Sequence, residues 1–123
     1  VRGGAILNVK DGTKIIGKDS YLGIECAAST VNIYDGAELY MDGRSSYNGC
    51  LAGACYGGTI NVYGGYGKGV KGGFIAMTSG GTINIKGGEW IANTDGTIGG
   101  TGLLCGLSCR ENQRENTGSS TRG

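Results

Sequence analysis

Polar and apolar residues alternate in four short stretches of this chain, and the four stretches are alike. They are Ala5-Ile6-Leu7-Asn8-Val9-Lys10-Asp11-Gly12, Ser29-Thr30-Val31-Asn32-Ile33-Tyr34-Asp35-Gly36, Gly58-Thr59-Ile60-Asn61-Val62-Tyr63-Gly64-Gly65 and Gly81-Thr82-Ile83-Asn84-Ile85-Lys86-Gly87-Gly88. The shared pattern is threonine, apolar, asparagine, apolar, lysine or tyrosine, then Asp-Gly or Gly-Gly. Strict alternation places successive side chains on opposite faces of an extended backbone, so each stretch predicts a β-strand. Seven of the eight inner apolar residues are β-branched, Leu7 being the exception, as strands favour. The glycine that follows supplies a turn with positive φ.

The asparagines recur at 8, 32, 61 and 84, at spacings of 24, 29 and 23 residues. Hairpin meanders return similar strands at roughly 8–12 residues. A period in the twenties instead fits one circuit of a coil holding two or three short strands. The chain is therefore read as all-β, a right-handed parallel β-helix (solenoid) of about four rungs spanning residues 1–109. An antiparallel sandwich built from Asp-Gly hairpins is the competing arrangement. In the solenoid, Leu7, Val31, Ile60 and Ile83 stack as one inner column and Val9, Ile33, Val62 and Ile85 as another. Ile15, Ile16, Leu22, Ile24, Leu39, Met41, Phe74, Ile75, Trp90 and Ile91 are further core candidates. Trp90 follows the fourth turn, where the second repeat has Leu39 one place along. Insertions fall at 17–28, 43–57 and 67–80. After Gly100 the pattern fails, and residues 110–123 contain no apolar side chain, which predicts a disordered polar tail.

Composition sharpens this picture. The chain has 123 residues, 28 of them glycine and none proline. Glycine without a G-X-Y period excludes collagen, and folding so many glycines requires a repeated burial scheme. Eleven basic and ten acidic residues give a net charge of +1, which provides no field for nucleic acid. No apolar run reaches membrane-spanning length. The chain opens on Val1 with no signal segment, as an excised piece would. No cap is visible before the first repeat, so further rungs or self-association through rung edges are expected.

The segments GGTINVYGG (57–65) and GGTINIKGG (80–88) resemble the glycine-rich β-helix repeats of bacterial surface proteins, including adhesins and the wider pectin-lyase-like fold. The resemblance covers residues 4–100 and implies extracellular or cell-surface display. Carbohydrate-cleaving members of that fold use acidic clusters, often with calcium, plus a basic residue, and no residues here match such a set. There is no histidine, the most frequent general base.

The candidate binding residues lie on the outward columns. Thr30, Thr59 and Thr82 form one, interrupted by Ile6; Asn8, Asn32, Asn61 and Asn84 form the next; Lys10, Tyr34, Tyr63 and Lys86 form the third. Such ladders suit a polymer or ice, and tyrosine faces suit sugar rings. The same residues also serve a purely structural role, because threonine favours strands and stacked asparagines bond one another. The 43–57 segment, with Arg44, Tyr47 and Tyr56, is the expected partner-contact loop.

Asp35, Glu38 and Asp42 are the densest acidic group, but the spacing D-x-x-E-x-x-x-D matches no calcium loop. Five cysteines, Cys26, Cys50, Cys55, Cys105 and Cys109, read mainly as buried thiols. Cys26 and Cys50, one repeat apart, are placed to stack on adjacent rungs. The C-x4-C and C-x3-C spacings lack the tighter zinc pattern. Gly67-Lys68 is followed by Gly69, not the Ser or Thr of a phosphate loop. No cofactor or metal is assigned. The expected function is a non-catalytic structural or adhesive repeat module of a bacterial surface or secreted protein. A carbohydrate-binding or carbohydrate-active β-helix is the alternative, and an ice-binding ladder the third reading. The expected partners are a glycan, another surface protein or a second copy.

Overall fold

A computed structural model of the chain describes residues 1–18, 21–42, 50–70, 72–77, 79–91 and 102–105. Twelve strands occur among them: β1 (Ile6–Val9), β2 (Lys14–Lys18), β3 (Leu22–Ala27), β4 (Thr30–Ile33), β5 (Glu38–Asp42), β6 (Cys50–Cys55), β7 (Gly58–Val62), β8 (Tyr66–Lys68), β9 (Gly72–Ala76), β10 (Gly81–Ile85), β11 (Glu89–Ile91) and β12 (Gly102–Cys105). Every third strand returns to the same sheet. Sheet 1 runs β1-β4-β7-β10, sheet 2 runs β2-β5-β8-β11 and sheet 3 runs β3-β6-β9-β12. All the strand pairings are parallel. Each coil therefore contributes one strand to each sheet, and three full turns separate β1 from β10. This is a parallel β-solenoid; the antiparallel sandwich is excluded.

The register of sheet 1 is the one the repeats predict. Asn8 faces Asn32, Asn32 faces Asn61 and Asn84 faces Asn61, with Leu7, Val31, Ile60 and Ile83 aligned beside them. Parallel pairing without slip follows from the alternation, since a one-residue shift would expose every aliphatic side chain. Val31, Ile33, Ile60 and Val62 are wholly buried, and Val9 and Ile83 nearly so. Each such side chain contributes roughly 1.5–3 kcal/mol by leaving water. At coil 1, Leu7 and Ile15 are only partly buried.

The corner after sheet 1 turns on glycine in all four coils. Gly12, Gly36, Gly65 and Gly88 have φ of 88°, 84°, 113° and 97°. In coils 1 and 2 the turn closes through Thr13 N–H to Lys10 O at 3.0 Å and Ala37 N–H to Tyr34 O at 3.1 Å. Positive φ at the third residue alone is the type II arrangement. Coils 3 and 4 lack the residue corresponding to Thr13 and Ala37. That one-residue difference corrects the alignment of Trp90. Leu39, Gly67 and Trp90 share a single column of sheet 2. The Trp90 indole lies against Gly67, where a Cβ would come within 2.8 Å of its Cζ3. It meets Phe74 edge to face at 5.1 Å, and its Nε1–H donates to Gly87 O at 3.1 Å.

Two expectations are corrected. The stretches read as insertions, 17–28, 43–57 and 67–80, contain β3, β6 and β9, the strands of sheet 3. Every residue of β6 and β9 is buried. Ile24, Cys26, Ala52, Ala54, Phe74 and Ala76 join the main core, while Cys50 and Ile75 pack with Tyr21, Leu22 and Met77 in a second cluster. A strand covered on both faces shows no alternation. Gly102–Cys105, where the repeat pattern lapses within the 1–109 span, pairs with β9. Ile16 and Ile91, expected in the core, are 49% and 39% exposed; in sheet 2 the neighbouring Ile15 and Trp90 take the inward positions. The polar segment 110–123 lies outside the described residues.

Candidate ligand-binding face

The outer face of sheet 1 carries the predicted columns in register. Its centre is a hydrogen-bonded asparagine ladder. Asn32 Nδ2 donates to Asn8 Oδ1 at 3.0 Å, Asn61 Nδ2 to Asn32 Oδ1 at 2.9 Å and Asn84 Nδ2 to Asn61 Oδ1 at 2.9 Å. Every step points the same way, each amide donating to the coil before it. Rungs about 4.8 Å apart leave a carboxamide just enough reach for this contact. Thr30, Thr59 and Thr82 align on one side of the ladder, with exposed Ile6 at the end of their column.

On the other side, at the glycine corner, Tyr34 and Tyr63 stack with ring centroids 5.3 Å apart and planes inclined by 16°. Lys86 Nζ sits 5.5 Å from the Tyr63 ring centre, a cation–π contact. Tyr63 thus has Tyr34 against one face and an ammonium over the ring. The ring faces through which Tyr34 and Tyr63 meet are therefore engaged within the column.

Beside this column is an open groove of about 590 Å³ lined by Lys10, Asp11, Tyr34, Asp35 and Tyr63. The two aspartates stand one coil apart above glycines. Asp11 Oδ1 is 2.1 Å from the point a Cβ on Gly36 would occupy, and Asp35 Oδ1 is 2.6 Å from the corresponding point on Gly64. The groove combines two carboxylates, an ammonium and two phenols, a donor and acceptor set suited to a polyol. The repeated Asp-Gly marked both aspartates of this groove as turn residues, and Asp35 was grouped with Glu38 and Asp42, but spacing alone did not pair Asp35 with Asp11.

The remaining predicted residues are dispersed. Asp35 belongs to the groove, whereas Glu38 lies on the next face of the solenoid and accepts a hydrogen bond from Tyr40 Oη at 2.5 Å. The Asp42 side chain lies outside the described residues. Among the described residues, no three His, Cys, Asp or Glu side chains gather as a metal site requires. Tyr40 is part of a cluster the sequence did not single out. Lys14 Nζ lies 5.3 Å from its ring centre and Tyr66 meets it edge-on at 6.2 Å. The hydrogen bond to Glu38, above all, pushes the Tyr40 phenol up to about 12.

Cys26 and Cys50 do not stack on adjacent rungs: Cys26 faces Ala54, and Leu22 faces Cys50. Cys26 and Cys55 are buried thiols. Burial raises the Cys26 thiol above its ordinary value, and its Sγ contacts Ser29 O at 3.2 Å and Thr59 O at 3.5 Å. Cys109 and the side chain of Cys105 lie outside the described residues, as do Arg44 and Tyr47. Tyr56 is 70% exposed at the β6–β7 turn. No described helix is long and apolar enough to cross a membrane. The chain matches no family model, no curated protein and no solved structure.

Proposed function

We propose that this chain is a non-catalytic structural repeat module, a stiff scaffold that spaces and displays its outer faces for adhesion. The observation that carries this reading is the asparagine ladder. Its amides bond one another from coil to coil, and the tyrosines beside them stack together. Side chains engaged in this way hold coils in register, whereas a catalytic site keeps its polar groups directed at a substrate. An extracellular or cell-surface setting belongs to the same proposal and rests on the likeness of GGTINVYGG and GGTINIKGG to surface β-helix repeats.

Asn61 both donates to Asn32 and accepts from Asn84. Asn61→Ala strands one half-buried group on each neighbour and should lower unfolding stability by about 1–3 kcal/mol, measured in urea. Asn84→Ala, which removes one bond at the end of the ladder, should cost less. Equal, negligible effects at both positions would remove the scaffold argument.

A carbohydrate-binding reading is favoured by a different observation, the groove lined by Lys10, Asp11, Tyr34, Asp35 and Tyr63. A glycan array separates the two. The scaffold reading expects no glycan whose binding is lost in Tyr34→Ala and Tyr63→Ala, and the carbohydrate reading expects one.

A further inference from the structure

We propose that the solenoid stacks head to tail on a second copy of itself, with β10 and β11 of one molecule continuing into β1 and β2 of the next. This deepens the scaffold reading by naming its partner. Four observations support it. First, among the described residues β1 and β2 each have one neighbour in their sheets, and β10 and β11 are the opposite edges of the same sheets. Parallel edges of this kind present unpaired N–H and C=O groups to a matching strand.

Second, the asparagine ladder has a direction. Each amide donates to the preceding coil, so coil 1 ends on the Asn8 amide donor and coil 4 on the Asn84 carbonyl acceptor. Head-to-tail stacking joins donor to acceptor. Head-to-head stacking opposes two donors.

Third, continuing the register sets like against like. Ile83 would lie over Leu7, Ile85 over Val9, Trp90 over Ile15 and Ile91 over Ile16. Leu7 and Ile15 are only partly buried, whereas Val31 and Ile60, the counterparts of Leu7, are 0% exposed and Leu39, the counterpart of Ile15, is 1%. Ile16 and Ile91, exposed at opposite ends, would cover each other. Sheet 3 of coil 1 is already engaged by its own chain, Arg2 bridging Ala27, so the joint is made by sheets 1 and 2.

Fourth, the charges at the joint are specific. Glu89 and Lys14 occupy one column of sheet 2 and would meet as opposite charges. Lys86 and Lys10 end the tyrosine column and would meet as like charges. The contact is heterologous, so it extends into linear arrays.

Sedimentation velocity of the intact chain across a range of concentrations tests this. The sedimentation coefficient should rise with concentration. Glu89→Lys should move the association midpoint at least tenfold higher, and Ile16→Lys should do the same. Lys86→Glu, which replaces repulsion by attraction to Lys10, should move it at least tenfold lower. Lys68→Glu makes the same charge change in the middle of the stack and should leave the midpoint where it was. Circular dichroism confirms that each variant remains folded. A chain that is monomeric throughout, including as Lys86→Glu, overturns the proposal. So does association that the two edge charges shift in the same direction, or that Lys68→Glu shifts as Lys86→Glu does. A monomer would leave the scaffold reading standing on its ladder and glycan measurements, and glycan binding would leave the stack standing.

Discussion

Gly36 shows how tightly a single position is specified. Its φ of 84° lies in the left-handed region, and a Cβ there would overlap Asp11 Oδ1 at 2.1 Å. Gly36→Ala therefore adds backbone strain of about 1–3 kcal/mol to a clash, and should lower the urea midpoint accordingly. Asp11→Ala in the same chain removes the colliding atoms but leaves φ unchanged, so the double variant should recover only part of the loss. At Tyr40 the relevant variable is pH. The protonated phenol bonds Glu38, and its value of about 12 stands above the unfolded value of about 10. This contribution is complete below pH about 10 and disappears as pH rises through about 12. Ultraviolet titration should show one late phenolate component that Tyr40→Phe removes.

Elements differ in how plainly they were written. Sheet 1 was legible because its strands bury one face and wet the other, so Ile and Val alternate with Thr and Asn. Sheet 3 was not. The buried sequences Cys-Leu-Ala-Gly-Ala-Cys and Gly-Gly-Phe-Ile-Ala have cover on both sides and therefore no period. Sheet 2 was half legible, because Gly67 fills a position that Leu39 and Trp90 fill in adjacent coils. For the candidate face, the asparagine and tyrosine columns followed from spacing alone. The closure of the tyrosine rings on each other did not, since spacing sets which residues are neighbours but leaves their torsions open. Trp90 is the element-scale test. It fills the room above Gly67 and packs on Phe74. Trp90→Ala should cost about 3–5 kcal/mol and flatten the near-ultraviolet dichroism.

For the whole molecule, stability should be graded along the axis. Among the described residues of sheet 1, β4 and β7 are bonded on two sides and β1 and β10 on one. Repeat arrays behave as sums of neighbour interactions. Hydrogen exchange should therefore be slowest in Thr30–Ile33 and Gly58–Val62 and faster in Ile6–Val9. Uniform protection along the axis would mean that the coils open together.

The alternation of Leu39, Gly67 and Trp90 along one column has an evolutionary consequence. Excising the circuit Gly58–Gly80 would keep the remaining asparagines in line yet set the indole against a leucine side chain instead of a glycine. Coils 3 and 4 are thus locked as a couple, and the array can gain or lose length there only by duplicating or deleting them jointly.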